Sequence, residues 1–161
     1  MLTLVSALGR WRLRRAGRAR LGLRRPGRPA IPPGLDVEHF LSLARLSFLR
    51  LQAAWDSGDV QTLQRLATGP LLEELQEHIQ AREGAANHTE VLDLRARLLA
   101  FEELAEAFVA SVEFSGVIRE RDDAEAADFR ELWLLTHLKP GAATPTPVPQ
   151  AWQLAQVQAL A

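Results

Sequence analysis

The 161-residue chain contains no cysteine, which excludes a disulfide framework and a thiol nucleophile and leaves the redox compartment open. No apolar run approaches the roughly 20 residues that a membrane-spanning helix needs. The apolar octet at residues 1–8 precedes the first arginines, the reverse of a secretory signal, in which the positive region comes first. No glycine-rich phosphate cradle is present, and Ser47, Ser111 and Ser115 have neither an adjacent base nor a nucleophile elbow. The histidines, His39, His78, His88 and His137, fall on separate predicted elements without a ligand partner at metal spacing. Neither a metal nor a cofactor is therefore expected.

Acid is also missing from the first 34 residues, which hold nine of the nineteen basic side chains. All twenty acids fall between Asp36 and Glu131, and residues 35–161 hold only ten bases, so a net charge near −10 on the remainder is hidden inside an overall −1. Residues 1–34, broken by glycine and proline, cannot bury enough surface to offset their ordering entropy and are expected to be a disordered basic arm or linker. Arg10, Arg12, Arg14, Arg15, Arg18 and Arg20 are the candidate contacts to anionic lipid, each basic group near such a surface contributing about 1 kcal/mol. A transit peptide or a contact to nucleic-acid phosphate are alternatives for the arm. The acidic charge of residues 35–161 counts against nucleic acid as a partner of the domain itself.

What is present begins with alternation. Ala110, Val112, Phe114, Gly116 and Ile118 share one parity in VASVEFSGVIRE (109–120), as do Phe129, Glu131, Trp133, Leu135 and His137 in FRELWLLTHL (129–138). This is the period-two pattern of half-buried strands, and the short charged link between them makes an antiparallel hairpin the economical connection. Upstream, Phe40, Leu41, Ala44, Phe48, Leu51 and Trp55 recur at helical spacing behind the capping residue Asp36. Gly58 suits the left-handed position after that helix, and Asp59 can cap a short second one over 60–67. Pro70 fits the first position of a third helix carrying Leu71, Leu72, Leu75 and Ile79, and the helical half closes near Gly84. From His88 the period becomes two, with Leu92, Leu94, Ala96 and Leu98 on one face, followed by a second apolar patch at 99–101. A final strand is expected over 152–158. Three helices followed by about four antiparallel strands give the α+β class.

Several of these segments together resemble the Tim44-like domain family: LQAAWDSGD (51–59), ELQEHIQARE (74–83), EVLDLRARLL (90–99), ASVEFSGVIRE (110–120), FRELWLL (129–135) and WQLAQVQ (152–158). The resemblance runs in order over roughly residues 35–160. It implies a nuclear transport factor two-like cone, three N-terminal helices packed in the concave side of a curved antiparallel sheet with a pocket between them. It also implies a non-enzymatic role at a membrane, since the mitochondrial member tethers a heat-shock chaperone to the inner-membrane translocon and contacts cardiolipin-rich bilayer. The expected function is thus a protein- or lipid-docking module related to protein translocation. Its expected place is peripheral at a bacterial inner membrane or, alternatively, at the matrix face of the mitochondrial one. A small-molecule or lipid carrier using the cone pocket is the second hypothesis.

Phe40, Phe48, Trp55, Phe108, Phe114 and Trp133 are the candidate pocket aromatics. Arg119 and Glu120 at a strand end, with Glu131 on the neighbouring strand and Arg45 or Arg82 arriving from the helices, are the candidate charge network. For acid/base chemistry the candidates are Asp56, Asp59, Glu131, His88 and His137. Asp56 and Asp59 read better as caps, and Glu131 and His137, six residues apart on one strand, stand about 20 Å from each other, too far for a catalytic pair.

Overall fold

The computed structural model describes residues 35–82, 88–120, 125–139 and 152–160. Helix α1 runs over Val37–Ser57, α2 over Val60–Leu66 and α3 over Gly69–Ala81. Strands β1 (Glu90–Glu103), β2 (Ala107–Arg119), β3 (Ala127–Leu138) and β4 (Gln153–Ala159) form one antiparallel sheet in the order β1-β2-β3-β4. The chain is thus α+β, with three helices and then a four-stranded meander, the class and element order expected from the sequence.

The helix boundaries follow from side-chain and backbone chemistry. Asp36 accepts a hydrogen bond from the His39 amide at 3.1 Å, satisfying one of the orphan donors of the first turn of α1. Gly58, at φ 72°, closes that helix in the left-handed region, where a Cβ would be strained. Asp59 then caps α2 through the Thr62 amide at 3.2 Å and the Thr62 hydroxyl at 2.6 Å. Helix α3 begins at Gly69, one residue before Pro70, with Thr68 as its cap position. The Thr68 amide donates to the Leu154 carbonyl at 2.9 Å, tying the α2–α3 link to β4. Helix α3 ends at Ala81, with Arg82 at the cap position, three residues before the expected Gly84, which itself lies outside the described residues.

On the sheet, Ala110, Val112, Phe114 and Ile118 of β2 and Phe129, Glu131, Trp133 and Leu135 of β3 are all buried, as their parity requires. They meet Phe40, Ala44, Phe48, Leu51 and Trp55 of α1, with Leu63 of α2 and Leu71 and Leu75 of α3. The centre is an aromatic stack. The Phe48 ring lies 4.9 Å from Phe114, 4.8 Å from Trp133 and 5.6 Å from Phe129, so truncating a buried phenylalanine of this kind costs about 3–5 kcal/mol.

Strand β1 departs from the expected alternation. It is a single 14-residue strand with irregular register between Val91 and Asp93 and again between Leu98 and Ala100. Each bulge inserts a residue and reverses the parity beyond it. Leu92, expected inward with Leu94, Ala96 and Leu98, is consequently 43% exposed. The second bulge turns Phe101 rather than Ala100 toward the helices. Gly116 explains why the first bulge is tolerated: a Cβ there would collide with the carbonyl of Asp93, so the backbones approach as closely as only glycine permits.

Candidate functional site

The six expected pocket aromatics divide into three packing groups. Phe48, Phe114 and Trp133 form the central stack, and Phe114 meets Trp133 edge-on at 5.0 Å. Phe40 packs edge-on against Trp152 at 5.1 Å, and Trp152 continues to Phe101 at 5.9 Å and to the His137 ring at 5.4 Å. Phe108, half-buried, reaches this second group through Phe101 at 5.8 Å and lies under the Lys139 ammonium at 5.0 Å. Trp55 forms the third group. Its ring carries the Arg82 guanidinium at 4.7 Å, and Arg82 also donates to the Trp55 carbonyl at 2.8 Å. These aromatics fill space against one another and against the core leucines.

Glu131 is the unusual polar group inside. It is 1% exposed, its Oε2 accepts from Trp133 Nε1 at 2.8 Å, and its Oε1 has no hydrogen-bond partner among the described residues. Burial disfavours the charged form more than the indole hydrogen bond favours it, so the carboxyl is pushed up from 4.5 to about 7.

The expected charge network around Glu131 is not assembled. Glu131 shares the inner face with Phe129 and Trp133 and stands opposite Phe114, whereas Arg119 has the other parity and pairs with Glu90 at 3.2 Å. Glu120 follows at the half-exposed end beyond β2. Arg45 donates to the Ser42 hydroxyl at 3.2 Å, and Arg82 is committed to Trp55. Sheet parity thus separates groups that lie within a few positions of one another in the strand register.

A different cluster sits on the outer face. Glu113, on β2, receives Arg97 from β1 at 3.3 Å and Arg130 from β3 at 3.0 Å. Burial raises its carboxyl, but the hydrogen bonds and charges of Arg130 and Arg97 together hold it below the usual range. Sequence reading missed this cluster, although Arg97 and Glu113 are direct cross-strand neighbours once the hairpin register is known.

Two of the acid/base candidates, Asp56 and Asp59, have structural duties. Asp56 accepts from Gln52 Nε2 at 3.0 Å, from the Thr89 amide at 2.9 Å and from the Thr89 hydroxyl at 3.2 Å, fastening the end of α1 to the start of β1. Partial burial raises its carboxyl despite these bonds and the nearby charge of His88. Asp59 caps α2, and Thr62 holds its carboxyl low. His137 packs on Trp152. Among the described residues no three His, Asp or Glu side chains converge as a metal site, and no helix is long and apolar enough to cross a membrane. Arg10, Arg12, Arg14, Arg15, Arg18 and Arg20 lie outside the described residues.

The sequence reading also passed over the outward side of α1. Leu43, Leu46 and Leu49 are 46%, 43% and 43% exposed, at three-residue spacing on the side away from Phe40, Ala44 and Phe48. Two surface grooves flank the continuation of this ridge. One, of about 630 Å³, lies toward α2 and includes Arg50, Ala53, Ser57, Thr62 and Arg65. The other, of about 600 Å³, lies toward β1 and includes Leu49, Ala53, Asp56, Thr89 and Val91.

Comparison with known proteins gives a family match and likenesses to solved structures. The family model described as the Tim44-like domain matches residues 28–159. A nuclear transport factor 2 (NTF2-like) superfamily protein from Salmonella enterica serovar Typhimurium LT2 is similar in structure, with a TM-score of 0.42 and 10% identity over 78% of this chain and 92% of that one. A ketosteroid isomerase-like protein from Erwinia carotovora atroseptica gives 0.41 and 11% over 79% of this chain and 99% of that one. No curated protein matches the chain significantly.

Proposed function

The chain belongs to the Tim44-like domain family, and from that membership we propose that it is a non-enzymatic, membrane-peripheral docking module that holds a protein partner beside an anionic lipid surface, at a bacterial inner membrane. The observation that carries this reading is the extent of the family match, which takes in every described helix and strand. Two features of the molecule support it. The arginines of residues 1–34 occur without a single acid, a charge pattern that attracts anionic headgroups at about 1 kcal/mol per basic group near the surface. In the folded unit, two of the acid/base candidates are engaged structurally, Asp59 capping α2 and Asp56 joining α1 to β1.

The division of labour follows from the charges. The basic segment is drawn to the lipid, and the acidic folded unit, at net charge near −10, is kept off the same surface and presents its faces to protein. The test is sedimentation with vesicles containing phosphatidylglycerol or cardiolipin, comparing the full chain with a full-length variant in which Arg10, Arg12, Arg14, Arg15, Arg18 and Arg20 are serine. The wild type sediments at low salt and the variant stays in the supernatant. Equal, salt-independent sedimentation of both overturns the role given to the arm.

A further inference from the structure

Glu131 sits among aromatic rings. On the inner face of β3 it lies between Phe129 and Trp133, Phe48 of α1 spans those two at 5.6 and 4.8 Å, and Phe114 of β2 stands opposite. The carboxyl receives one hydrogen bond, from Trp133 Nε1 to Oε2 at 2.8 Å, while Oε1 has no partner among the described residues. A carboxylate that keeps its charge inside a protein accepts about two or three such bonds, so this enclosure suits the neutral acid and not the anion. The carboxyl accordingly titrates at about 7 in place of 4.5, burial outweighing the indole bond. The surrounding elements bring no charge to offset this. At the paired positions β2 presents Phe114 and β4 presents Ala159. Next on β1 comes Ala96, between the exposed Arg95 and Arg97. The buried polar side chain of α1, Gln52, is bonded to Asp56 and Thr89, and the described buried residues of α2 and α3 are Leu63, Leu66, Leu71 and Leu75. Glu113 and Arg130, one position away in the register, have the opposite parity and pair on the outer face.

An ionised Glu131 has to be reached by water, and β4 is built to admit it. The pairing of β3 with β4 is irregular between Leu134 and Leu135: Leu135 meets Leu154 and Leu134 meets Gln156, which leaves Ala155 as the extra residue of a bulge. Before the bulge, Leu154 is fully buried and tied to the α2–α3 link by the Thr68 amide at 2.9 Å and by a bridge to Ala67. After it, residues 156–159 pair in regular register with Leu134 back to Glu131, and the Leu160 amide donates to the Arg130 carbonyl at 2.9 Å. Gln158 and Ala159 are exposed, and Ala159 is the direct partner of Glu131. The segment is thus anchored ahead of a hinge and open to solvent where it lies beside the carboxyl.

We propose that residues 156–160 form a pH-sensitive flap, which swings away from β3 about the Ala155 bulge when Glu131 loses its proton and gives water and small apolar molecules a way to the aromatic stack. The device is independent of the docking function proposed above. Its sign follows from linkage. The open form, with the carboxyl in water, titrates near 4.5 and the closed form near 7, so the open-to-closed ratio rises with pH, by about tenfold between pH 6 and pH 8. The opening is local, because Leu154 stays anchored and the pairing of β1, β2 and β3 is left intact.

The test is amide hydrogen exchange on the full chain at pH 6 and pH 8, with rates corrected for the intrinsic pH dependence of exchange, on wild type and Glu131→Gln. In wild type the amides of residues 156–160 lose about tenfold in protection at the higher pH, exchange faster than those of β2, and do so independently of added urea, as local opening requires. In the glutamine variant their corrected protection is the same at both pH values. Fluorescence of the apolar dye anilinonaphthalene sulfonate rises from pH 6 to pH 8 with wild type and stays level with the variant. Unchanged wild-type protection between the two pH values overturns the flap, as does an equal loss in Glu131→Gln. Exchange of residues 156–160 only together with β2, and with the same urea dependence, overturns it from the wild-type data alone, because the segment then opens only when the whole fold does.

Discussion

Replacing Glu131 with glutamine removes an ionisable group from the interior while keeping its size and leaving an oxygen to accept from Trp133 Nε1. In the folded protein the carboxyl titrates near 7 because burial penalises its charged form; in the unfolded chain it titrates near 4.5. The folded state therefore binds the extra proton between those two values, and wild-type stability falls as pH rises through that window. Below about 4.5 the carboxyl is neutral in both states and nothing is lost. Above about 7 the full difference is felt, and at ~1.36 kcal/mol per pH unit it amounts to about 3 kcal/mol.

The glutamine variant has no such titration. Any fixed cost of placing an amide beside the aromatic stack is the same at every pH and cancels when two pH values are compared. Urea unfolding followed by tryptophan fluorescence, at pH 5 and pH 8, gives the four stabilities required. The stability of Glu131→Gln relative to wild type rises by about 2–3 kcal/mol from the lower to the higher pH. If the two proteins keep parallel pH dependences, Glu131 is not held neutral by burial, and the reading of its place among the buried aromatics fails at its most sensitive point.

Other substitutions test the joints of the fold. Gly116→Ala forces a methyl group into the Asp93 carbonyl at the first β1 bulge. It lowers stability by at least about 1–3 kcal/mol, with lost amide protection concentrated along β1 in hydrogen exchange, and an unchanged stability contradicts the close approach of the two strands. Asp56→Ala leaves the Thr89 amide without its acceptor and takes one partner from buried Gln52. It costs about 1–3 kcal/mol and speeds exchange at Thr89; preserved protection there shows that α1 and β1 are fastened by something else.

Much of this architecture was legible because its determinants are local. Asp36, Gly58, Asp59 and Pro70 each satisfy or terminate a helix end with their own side chain or backbone preference, so the starts of all three helices and the ends of the first two fall within a residue of expectation, whereas α3 ends at Ala81, short of the expected Gly84. The alternation in β2 is unbroken, and in β3 parity names the inward residues, with Leu132 of the opposite parity buried as well. Strand β1 was less legible because a bulge is a relation between two strands. Nothing in Leu92 itself says that the partner backbone at Gly116 comes too close for regular pairing.

At the site, chemistry and parity gave opposite messages. Glu131 was grouped with Arg119 because opposite charges near strand ends attract, yet its parity with Trp133 already placed it inside. Burial outweighs a surface ion pair, which contributes about 0–1 kcal/mol. The Glu113 cluster needed the register of three strands before it became visible. The leucines at 43, 46 and 49 were passed over for a simpler reason: on a helix whose other side is the core, exposed leucines are recognised only once the buried side has been fixed.

The central claim is that this is a module that binds through charge-segregated surfaces, the basic segment taking lipid while the folded unit takes protein. It is tested most directly by the fraction of full-length chain that sediments with phosphatidylglycerol vesicles, measured at about 50 mM and about 300 mM salt, where the Debye length shortens from roughly 14 to 6 Å. The account predicts strong sedimentation at the lower salt, loss at the higher salt, and none at either for the variant with serine at the six arm arginines. Sedimentation by that variant equal to wild type at both salts contradicts it.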